Sequence, residues 1–303
     1  MSEADPLMAL EPSPETAGAK PVREPVDWWA EVRGLALMLL AVLGFHSLIA
    51  KPFYIPSISM MPNLLVGDRL VVSKYPYGWS WVSASFHVLP RSKDRLLGGT
   101  PEYGDIVIVV PPDRDVDYIK RVIGLPGDRV AVVNGQIVLN GKPVPQAVEP
   151  PLYLAIDPNQ PCERDVFPNL ATRLPSGKRV CELPILRETL PNGVSYAIID
   201  HIEQSLDNYA EIRVPKGHVF LMGDNRDHSA DSRAGAGFEQ GLGGPVPLSD
   251  VGGRAEFITF SLDGSTGLNP ATWLPSFRPE RAWHNLRPAI DPQETGDERK
   301  AAK

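Results

Sequence analysis

The sequence predicts an all-β protein, built mainly of antiparallel sheet, that follows a single N-terminal transmembrane helix. Three observations support this fold class. The 303 residues include 32 prolines and 26 glycines, and proline is excluded from helix interiors. Several short runs of β-branched residues are bounded by Gly and Pro, as is typical of strands. One uncharged apolar run, residues 34–50, precedes all of them.

The apolar run GLALMLLAVLGFHSLIA, residues 34–50, predicts a membrane anchor. At about 1.5 Å per residue it crosses most of a hydrocarbon core about 30 Å thick. Trp28 and Trp29 precede it, and paired tryptophans favour a membrane interface over a buried soluble helix. Leu48 stands where a cleavable signal peptide carries a small residue, which favours a retained anchor. Residues 1–33, which are polar, are predicted to be disordered.

The positive charges around the anchor favour a cytoplasmic N-terminus. Lys20, Arg23 and Arg33 precede the run, and only Lys51 lies immediately beyond it. The positive-inside rule counts Lys and Arg alone. The rest of the chain is therefore expected on the external side of the membrane.

Charge and cysteine content exclude some classes of function. A formal charge of −7 gives a nucleic-acid role no electrostatic support. Cys162 and Cys181 form no CxxC pair, so no zinc site is predicted. A disulfide between them requires an oxidising compartment, and two unrelated thiols are the alternative. No cofactor and no obligate partner subunit are predicted.

The body of the chain has the pattern of strands joined by tight turns. Apolar, β-branched stretches occur at residues 67–75, 103–112, 117–128 and 211–225. RVAVVNGQIVLNGKPV, residues 129–144, contains two Asn-Gly pairs between apolar runs, which predicts a meander of tight hairpins.

These patterns divide the chain into regions. Residues 51–144 and 211–262 are predicted to form a β-rich core. Residues 145–210, which are proline-rich and hold both cysteines, are predicted to be an inserted subdomain. Residues 263–303 form a C-terminal extension, partly disordered, whose tryptophans and arginines suit either a lipid interface or a packed tail.

The stretch PSISMMP places Ser57 and Ser59 two residues apart between prolines. A serine hydroxyl is a weak nucleophile until a neighbouring base takes its proton. Lys120 is one candidate base, because it interrupts the apolar strand pattern of DYIKRVIG. Burial would lower the pKa of this lysine and leave a neutral amine. The alternative is an edge-strand charge that prevents aggregation.

His228 is the second candidate base. It lies in GDNRDHSADSR, where Asp224, Asp227 or Asp231 is available to orient it in a serine–histidine–aspartate triad. The same acid-rich loop lacks the glycine and the bidentate glutamate of an EF-hand, so no metal site is predicted.

Taken together, these stretches resemble the type I signal peptidases, membrane-anchored serine proteases that remove signal peptides from exported proteins. The resemblance runs in order through the anchor, PSISMMPNLLVGDRLVVSK, GDIVIVV, DYIKRVIGLPGD and GDNRDHSADSR, over roughly residues 50–262. It implies an all-β catalytic region with an inserted domain, in a bacterial-type inner membrane. The implied partners are the lipid bilayer and the signal peptides of exported precursors, which are cut after a small-x-small motif.

The resemblance also implies roles for four residues. Ser59, just before Met-Met-Pro, matches the nucleophile, and Lys120 matches the general base. Ser57 matches the serine whose hydroxyl helps to form the oxyanion hole, together with the backbone N–H of Ser59. Ser229 matches the serine that hydrogen-bonds and orients the lysine.

Supporting and substrate-binding residues follow from the same match. Asp231 and Arg233 match a supporting polar pair. Ile58 departs from the common glycine, and its branched side chain is expected to narrow the approach to the oxyanion serine. His228 stands where asparagine is common, so the resemblance gives it no catalytic role. The positions that match the lining of the small substrate pockets are Ile55, Leu64 and Ile119.

Two other functions fit part of the pattern. Self-cleaving repressors share a similar catalytic arrangement, but they carry a DNA-binding helix-turn-helix where this chain has an apolar span and an acidic tail. A membrane-anchored binding protein without activity is expected to lack Ser59 or Lys120, and both are present.

Overall fold

The computed structural model describes residues 27–287. Residues 1–26 of the predicted disordered tail and residues 288–303 of the C-terminal extension lie outside the described residues. Within residues 27–287 the chain forms one α-helix, α1 (Trp28–Leu48), followed by fifteen strands. The prediction of a mainly antiparallel all-β fold behind an N-terminal helix is confirmed.

The strands are short and follow one another through the chain. They are β1 (Ala50–Tyr54), β2 (Asp68–Ser73), β3 (Ile106–Val109), β4 (Tyr118–Gly124), β5 (Arg129–Val133), β6 (Gln136–Leu139), β7 (Lys142–Pro143), β8 (Gln146–Ala155), β9 (Ala171–Arg173), β10 (Arg179–Thr189), β11 (Ser195–Ile198), β12 (Tyr209–Arg213), β13 (His218–Met222), β14 (Val246–Pro247) and β15 (Val251–Ser261).

The helix α1 begins before the apolar run because Asp27 caps it. The Asp27 carboxylate accepts hydrogen bonds from the backbone N–H groups of Trp29 and Ala30, at 3.1 and 3.2 Å. Residues 28–33, which composition assigned to the disordered tail, are therefore helical. Ala50, the last residue of the predicted anchor, instead begins β1. No side chain of α1 is buried, and the helix is long and apolar enough to cross a membrane.

The main sheet has seven strands in the order β1-β2-β15-β3-β4-β13-β14. Every neighbouring pair in it is antiparallel. Strand β4 lies between β3 and β13, so Lys120 belongs to an interior strand and is not an edge-strand charge. Both faces of β4 are covered, because all residues from Ile119 to Gly124 are buried.

Two smaller sheets complete the fold. The Asn-Gly meander forms a sheet in the order β12-β5-β6-β7, and its turns hold Asn134 and Asn140 at φ values of 50° and 56°. Strands β8 to β11 pair only with one another, in the order β11-β10-β8 with β9 beside β10. This third sheet lies within residues 145–210, the region that the sequence predicted as an insertion.

A disulfide joins Cys162 to Cys181, with their Cα atoms 5.7 Å apart. The two cysteines pack in an apolar cluster that also includes Met61, Leu65 and Phe167. Met61 and Leu65 come from the loop between β1 and β2, which also carries Ser59. The cluster therefore connects the third sheet to the segment that holds the candidate nucleophile.

Removing the disulfide is expected to destabilise the protein. It closes a loop with a sequence separation of 19, and a loop of this size corresponds to about 3 kcal/mol in the chain-entropy model. We expect the double variant Cys162→Ala/Cys181→Ala to lose that much free energy of unfolding, measured by urea titration with tryptophan fluorescence. Reduced wild type is the control and is expected to unfold at the midpoint of the variant. Equal midpoints for oxidised wild type and the variant would contradict the expectation.

Candidate active site

The candidate nucleophile lies in a tight turn between β1 and β2. The backbone N–H of Met61 donates to the carbonyl oxygen of Ile58 at 3.0 Å, and that of Leu64 donates to Met60 at 2.9 Å. The peptide between Met61 and Pro62 is cis. These local bonds fold residues 58–64 into a compact turn with Ser59 near its start, and Ser59 is only 8% exposed.

The turn places Ser59 against Lys120. The Lys120 Nζ atom donates a hydrogen bond to Ser59 Oγ at 3.0 Å. Lys120 is 4% exposed, and burial lowers the pKa of its amine to about 8, against the opposing effect of nearby carboxylates. A larger share of this amine is therefore neutral near pH 7 than for a lysine in water, and the neutral amine is the form that can accept a proton.

His228 does not contact Ser59 through a hydrogen bond. Its Nε2 atom lies 2.8 Å from the carbonyl oxygen of Val166. A carbonyl oxygen can only accept a hydrogen bond, so Nε2 carries the ring hydrogen and donates a hydrogen bond to Val166. His228 borders the same cavity as Ser59, but its arrangement is not that of a base in a serine–histidine triad.

A cavity of about 310 Å³ opens in front of the serine and the lysine. Its polar lining includes Ser57, Ser59 and Lys120, and Ile55 and Ile119 contribute to its apolar wall. The hydroxyl of Ser57 is 3.4 Å from Ser59 Oγ. The two serines therefore face the same space, as an attacking and a stabilising hydroxyl would need to.

Leu64 is the one predicted pocket residue that does not line this cavity. It is fully buried and packs in the same apolar cluster as Ile55 and Ile119. Leu64 therefore supports the cavity wall from the side of the core.

Ser229 lies beside Ser59 without bonding to Lys120. Its Oγ atom is buried and has no hydrogen-bond partner among the residues that the structure describes. A Cβ built on Gly223 would lie 2.2 Å from Ser229 Oγ and 2.5 Å from the carbonyl oxygen of Ser59. Glycine is therefore required at position 223. Because Ser229 Oγ has no partner among the described residues, the hydrogen bond expected from Ser229 to Lys120 is not formed in this structure.

Asp231 and Arg233 form a buried ion pair. Arg233 donates to both Asp231 oxygens, from Nε and Nη2, each at 3.0 Å. The backbone N–H of Gly223 also donates to Asp231, at 3.0 Å. Burial by itself would raise the pKa of Asp231, but the charge and hydrogen bonds of Arg233 hold it below its usual value. The pair thereby fixes Gly223, against which Ser229 packs.

A family described as "Signal peptidase, peptidase S26" matches residues 28–260. The chain belongs to this family. It is 33% identical over 277 residues to the signal peptidase I of Rickettsia typhi (strain ATCC VR-144 / Wilmington), covering 84% of this chain and 93% of the relative. It is also 33% identical over 280 residues to the signal peptidase I of Rickettsia akari (strain Hartford), covering 86% and 92%.

Among solved structures, a signal peptidase I from Enterococcus faecalis V583 is 20% identical and covers 51% of this chain and 95% of that chain, with a TM-score of 0.27. The assignment to the signal peptidase family rests on the family match and the curated relatives. Together with the apolar helix α1, it indicates a membrane-anchored peptidase.

The candidate site contains an ion pair that sequence reasoning missed. Arg121 donates to both oxygens of Asp224, from Nε at 2.7 Å and from Nη2 at 2.6 Å. Asn63, in the turn that carries the nucleophile, donates its side-chain N–H to Asp224 at 2.8 Å. The alternation of β4 puts Arg121 and Lys120 on opposite faces, and a buried arginine demands a partner. A second charged residue in this apolar strand was therefore the signal in the sequence for a buried acidic partner of Arg121.

Asn225 is a second residue that sequence reasoning missed. Its backbone N–H donates to the carbonyl oxygen of Ser59 at 3.1 Å, and its side-chain amide donates to that of Ile58 at 3.2 Å. Asn225 therefore holds the main chain at Ser59 directly. Because these partners are backbone atoms, no pairing of side-chain types in the sequence indicates the contact.

The expectation for Ile58 is wrong. Its side chain packs in the apolar cluster of Met61, Leu65 and the disulfide, and it is not part of the cavity lining. The branched side chain faces the third sheet, so it does not narrow the approach to Ser57. It adds apolar contact between the turn and the third sheet.

Breaking the buried pair of Arg121 and Asp224 is expected to cost much more than breaking an exposed one. The side chains of this pair are 5% and 1% exposed, so Asp224→Ala leaves a buried guanidinium without its carboxylate. We expect a loss of about 3–5 kcal/mol in the free energy of unfolding, measured by urea titration. Glu211→Ala is the matched control, because its pair with Arg129 is 46% and 53% exposed, and it should cost about 0–1 kcal/mol. Similar losses in the two variants would refute this account.

Proposed function

We propose that the chain is a serine endopeptidase that removes N-terminal signal peptides from exported precursor proteins. The observation that carries the proposal is the 3.0 Å hydrogen bond from Lys120 Nζ to Ser59 Oγ in a buried site. Serine–lysine pairs are an established variant of the nucleophile and base arrangement. The relatives that match most of the chain are named signal peptidase I, which supplies the substrate class.

Acylation begins when Ser59 Oγ attacks the carbonyl carbon at the cleavage site. The neutral amine of Lys120 takes the hydroxyl proton as the new C–O bond forms. The negative charge on the carbonyl oxygen is stabilised by the hydroxyl of Ser57 and the backbone N–H of Ser59. One such donor contributes about 3 kcal/mol in a preorganised, dry site.

Collapse of the tetrahedral intermediate breaks the peptide bond. The ammonium of Lys120 gives its proton to the leaving amine, which becomes the N-terminus of the mature protein. The signal peptide remains as an ester on Ser59. Water then attacks this ester with Lys120 again as base, and the serine hydroxyl is restored as the signal peptide leaves with a free carboxylate.

The cavity favours small side chains on the signal-peptide side of the cut. Its apolar wall includes Ile55, Ile108 and Ile119, and branched side chains leave little room for a large residue. We infer that the precursor lies as an extended strand along this wall, pairing through its backbone while alternate side chains enter the cavity. A small-x-small motif before the cut follows from such alternation.

We further propose that the N-terminus is cytoplasmic and that the catalytic region lies outside a bacterial-type inner membrane. Lys20, Arg23 and Arg33 precede the uncharged apolar run of residues 34–50, while Lys51 directly follows it. The disulfide between Cys162 and Cys181 supports the same orientation, because such bonds persist in oxidising compartments.

The proposed chemistry predicts that both members of the pair are essential. We expect Ser59→Ala and Lys120→Ala each to lower kcat for cleavage of a signal-peptide-bearing precursor by at least about 10³-fold. The assay uses the full chain in detergent, with product size and mature N-terminus determined by mass spectrometry.

Lys74→Met is the matched control for the lysine. Lys74 is also buried and burial lowers its pKa to about 8, but its Nζ atom lies 3.5 Å from the carbonyl oxygen of Val82 and bonds to no serine. This variant is expected to retain most of its activity. If Lys120→Ala, while folded, cleaves at a rate comparable to wild type, the lysine is not the base.

The pH dependence of cleavage should report the buried amine. The base must be neutral, so protonation of Lys120 at low pH removes activity and deprotonation at high pH restores it. We expect kcat/KM to rise about tenfold per pH unit at low pH and to level off above the lysine pKa of about 8. Measurement at constant ionic strength from about pH 5 to about pH 10 covers this range. A profile that levels off far below this value would argue against Lys120 as the base.

A further inference from the structure

The C-terminal extension contains a segment that lies against the nucleophile loop. We define the arm as residues 276–287 and the nucleophile loop as residues 55–67, which connect β1 and β2. The arm runs along residues 256–261 of β15 through backbone hydrogen bonds. Arg278 N–H donates to Ser261 at 3.0 Å, and Leu286 N–H donates to Glu256 at 2.8 Å. The family match ends at residue 260, so the arm lies beyond it.

Arg281 reaches from the arm to the end of the nucleophile loop. Its guanidinium forms an ion pair with Asp68, the first residue of β2, and Nη2 also donates to the carbonyl oxygen of Asn63 at 2.8 Å. Asp68 is fully buried and accepts the backbone N–H of Leu65 at 2.9 Å. The Arg281 side chain therefore contacts the loop region at two points. One is the main chain at Asn63, and the other is the Asp68 carboxylate, which in turn binds the N–H of Leu65.

Arg278 contacts the same loop at a third point. Its Nη1 atom donates to the carbonyl oxygen of Val66 at 2.9 Å, and Nη2 donates to Asp157 at 2.6 Å. The loop passes close to β15 here, since Gly67 has a φ of 101° and a Cβ on it would lie 2.0 Å from the carbonyl oxygen of Leu262. The arm, the end of β15 and the nucleophile loop are thus in direct contact.

The contacts of the arm continue to the catalytic pair. Asn63, whose carbonyl oxygen binds Arg281, donates its side chain to Asp224 at 2.8 Å. Asp224 is paired with Arg121, the residue next to Lys120. A polar chain therefore runs from the arm through the nucleophile loop to the strand that carries the base.

We propose that the arm is a positioning clamp for the nucleophile, with Arg281 as its principal residue and Arg278 as its second. The clamp holds the loop so that Ser59 stays within hydrogen-bond distance of Lys120. The proposal rests on the proposed function for its catalytic consequence. It assigns Arg281 a role through Asn63 and Asp68, without contact to the substrate.

The test compares two arginines of the same arm in the full chain in detergent. Arg281→Gln removes the charge that holds Asp68 and Asn63. Arg287→Gln is the matched control. Arg287 pairs with Glu256, and Glu256 keeps Arg254 as a second partner when Arg287 is replaced. Arg287 itself makes no described bond to the nucleophile loop. Both kcat and KM for a precursor are measured, together with hydrogen exchange of peptides covering residues 59–68.

A small misplacement of a nucleophile is costly in rate. We therefore expect Arg281→Gln to lower kcat by about tenfold with KM nearly unchanged, and to speed exchange in residues 59–68. Arg287→Gln should change neither quantity. Arg281→Lys should recover part of kcat, because an ammonium can still pair with Asp68 but cannot reproduce the forked contact with Asp68 together with the bond to Asn63.

Asp68 is buried, so Arg281→Gln could unfold the chain by leaving this carboxylate unpaired. Thermal melting detects such unfolding. In that case the double variant Asp68→Asn/Arg281→Gln is tested in place of Arg281→Gln, because it removes both charges and leaves no buried carboxylate unpaired. In either variant, unchanged exchange overturns the clamp, and so does an unchanged kcat or a loss of kcat equal to that of Arg287→Gln.

The two proposals fail in different ways. A wild-type chain that does not cleave the precursor refutes the proposed function, and hydrogen exchange then decides alone whether the arm holds the loop. A wild-type chain that cleaves, with an Arg281→Gln variant equal to wild type in kcat and exchange, refutes the clamp and leaves the proposed function intact.

Discussion

The buried amine of Lys120 is the constraint on which the rest of the site depends. Charging an amine inside a protein costs free energy because the interior solvates the ion less well than water does. The neutral amine avoids this cost, and it is also the form that can take a proton from Ser59. The surroundings must therefore not favour the ammonium, and a single unpaired carboxylate beside Lys120 would do so.

The carboxylates near Lys120 are paired with arginines. Asp231 binds Arg233 and Asp224 binds Arg121. The two carboxylates raise the pKa of the lysine and Arg233 lowers it, but burial is the largest influence and the pKa stays low. The same ion pairs hold backbone, since Asp231 also accepts the N–H of a neighbouring glycine. Positioning and electrostatic neutrality are thus achieved by the same contacts.

The sequence predicts the parts of this site that short motifs carry. A stiff turn and a charged residue in an apolar strand are local patterns, and they made Ser59 and Lys120 candidates. The resemblance to the signal peptidases then favoured Lys120 over His228 as the base. Ile58 was misread because the direction of a side chain in a turn depends on the third sheet, which packs against it. Arg281 carried no signal, because its partner Asp68 lies 213 positions away in the chain. Local patterns do not contain contacts across such separations.

The position of the contacts that hold the nucleophile loop follows from what the loop must do. Holding each residue of a loop in one conformation costs about 1–2 kcal/mol of backbone entropy, so ordered loops need many contacts. In the proposed mechanism the hydroxyls of Ser59 and Ser57 stay free for reaction, so they do not supply those contacts. Met61 and Leu65 supply them on the side of the disulfide cluster, and Asp68 supplies them on the side of the arm. The contacts that hold the loop therefore come from residues beside the two serines, and their partners lie in the third sheet and in the arm.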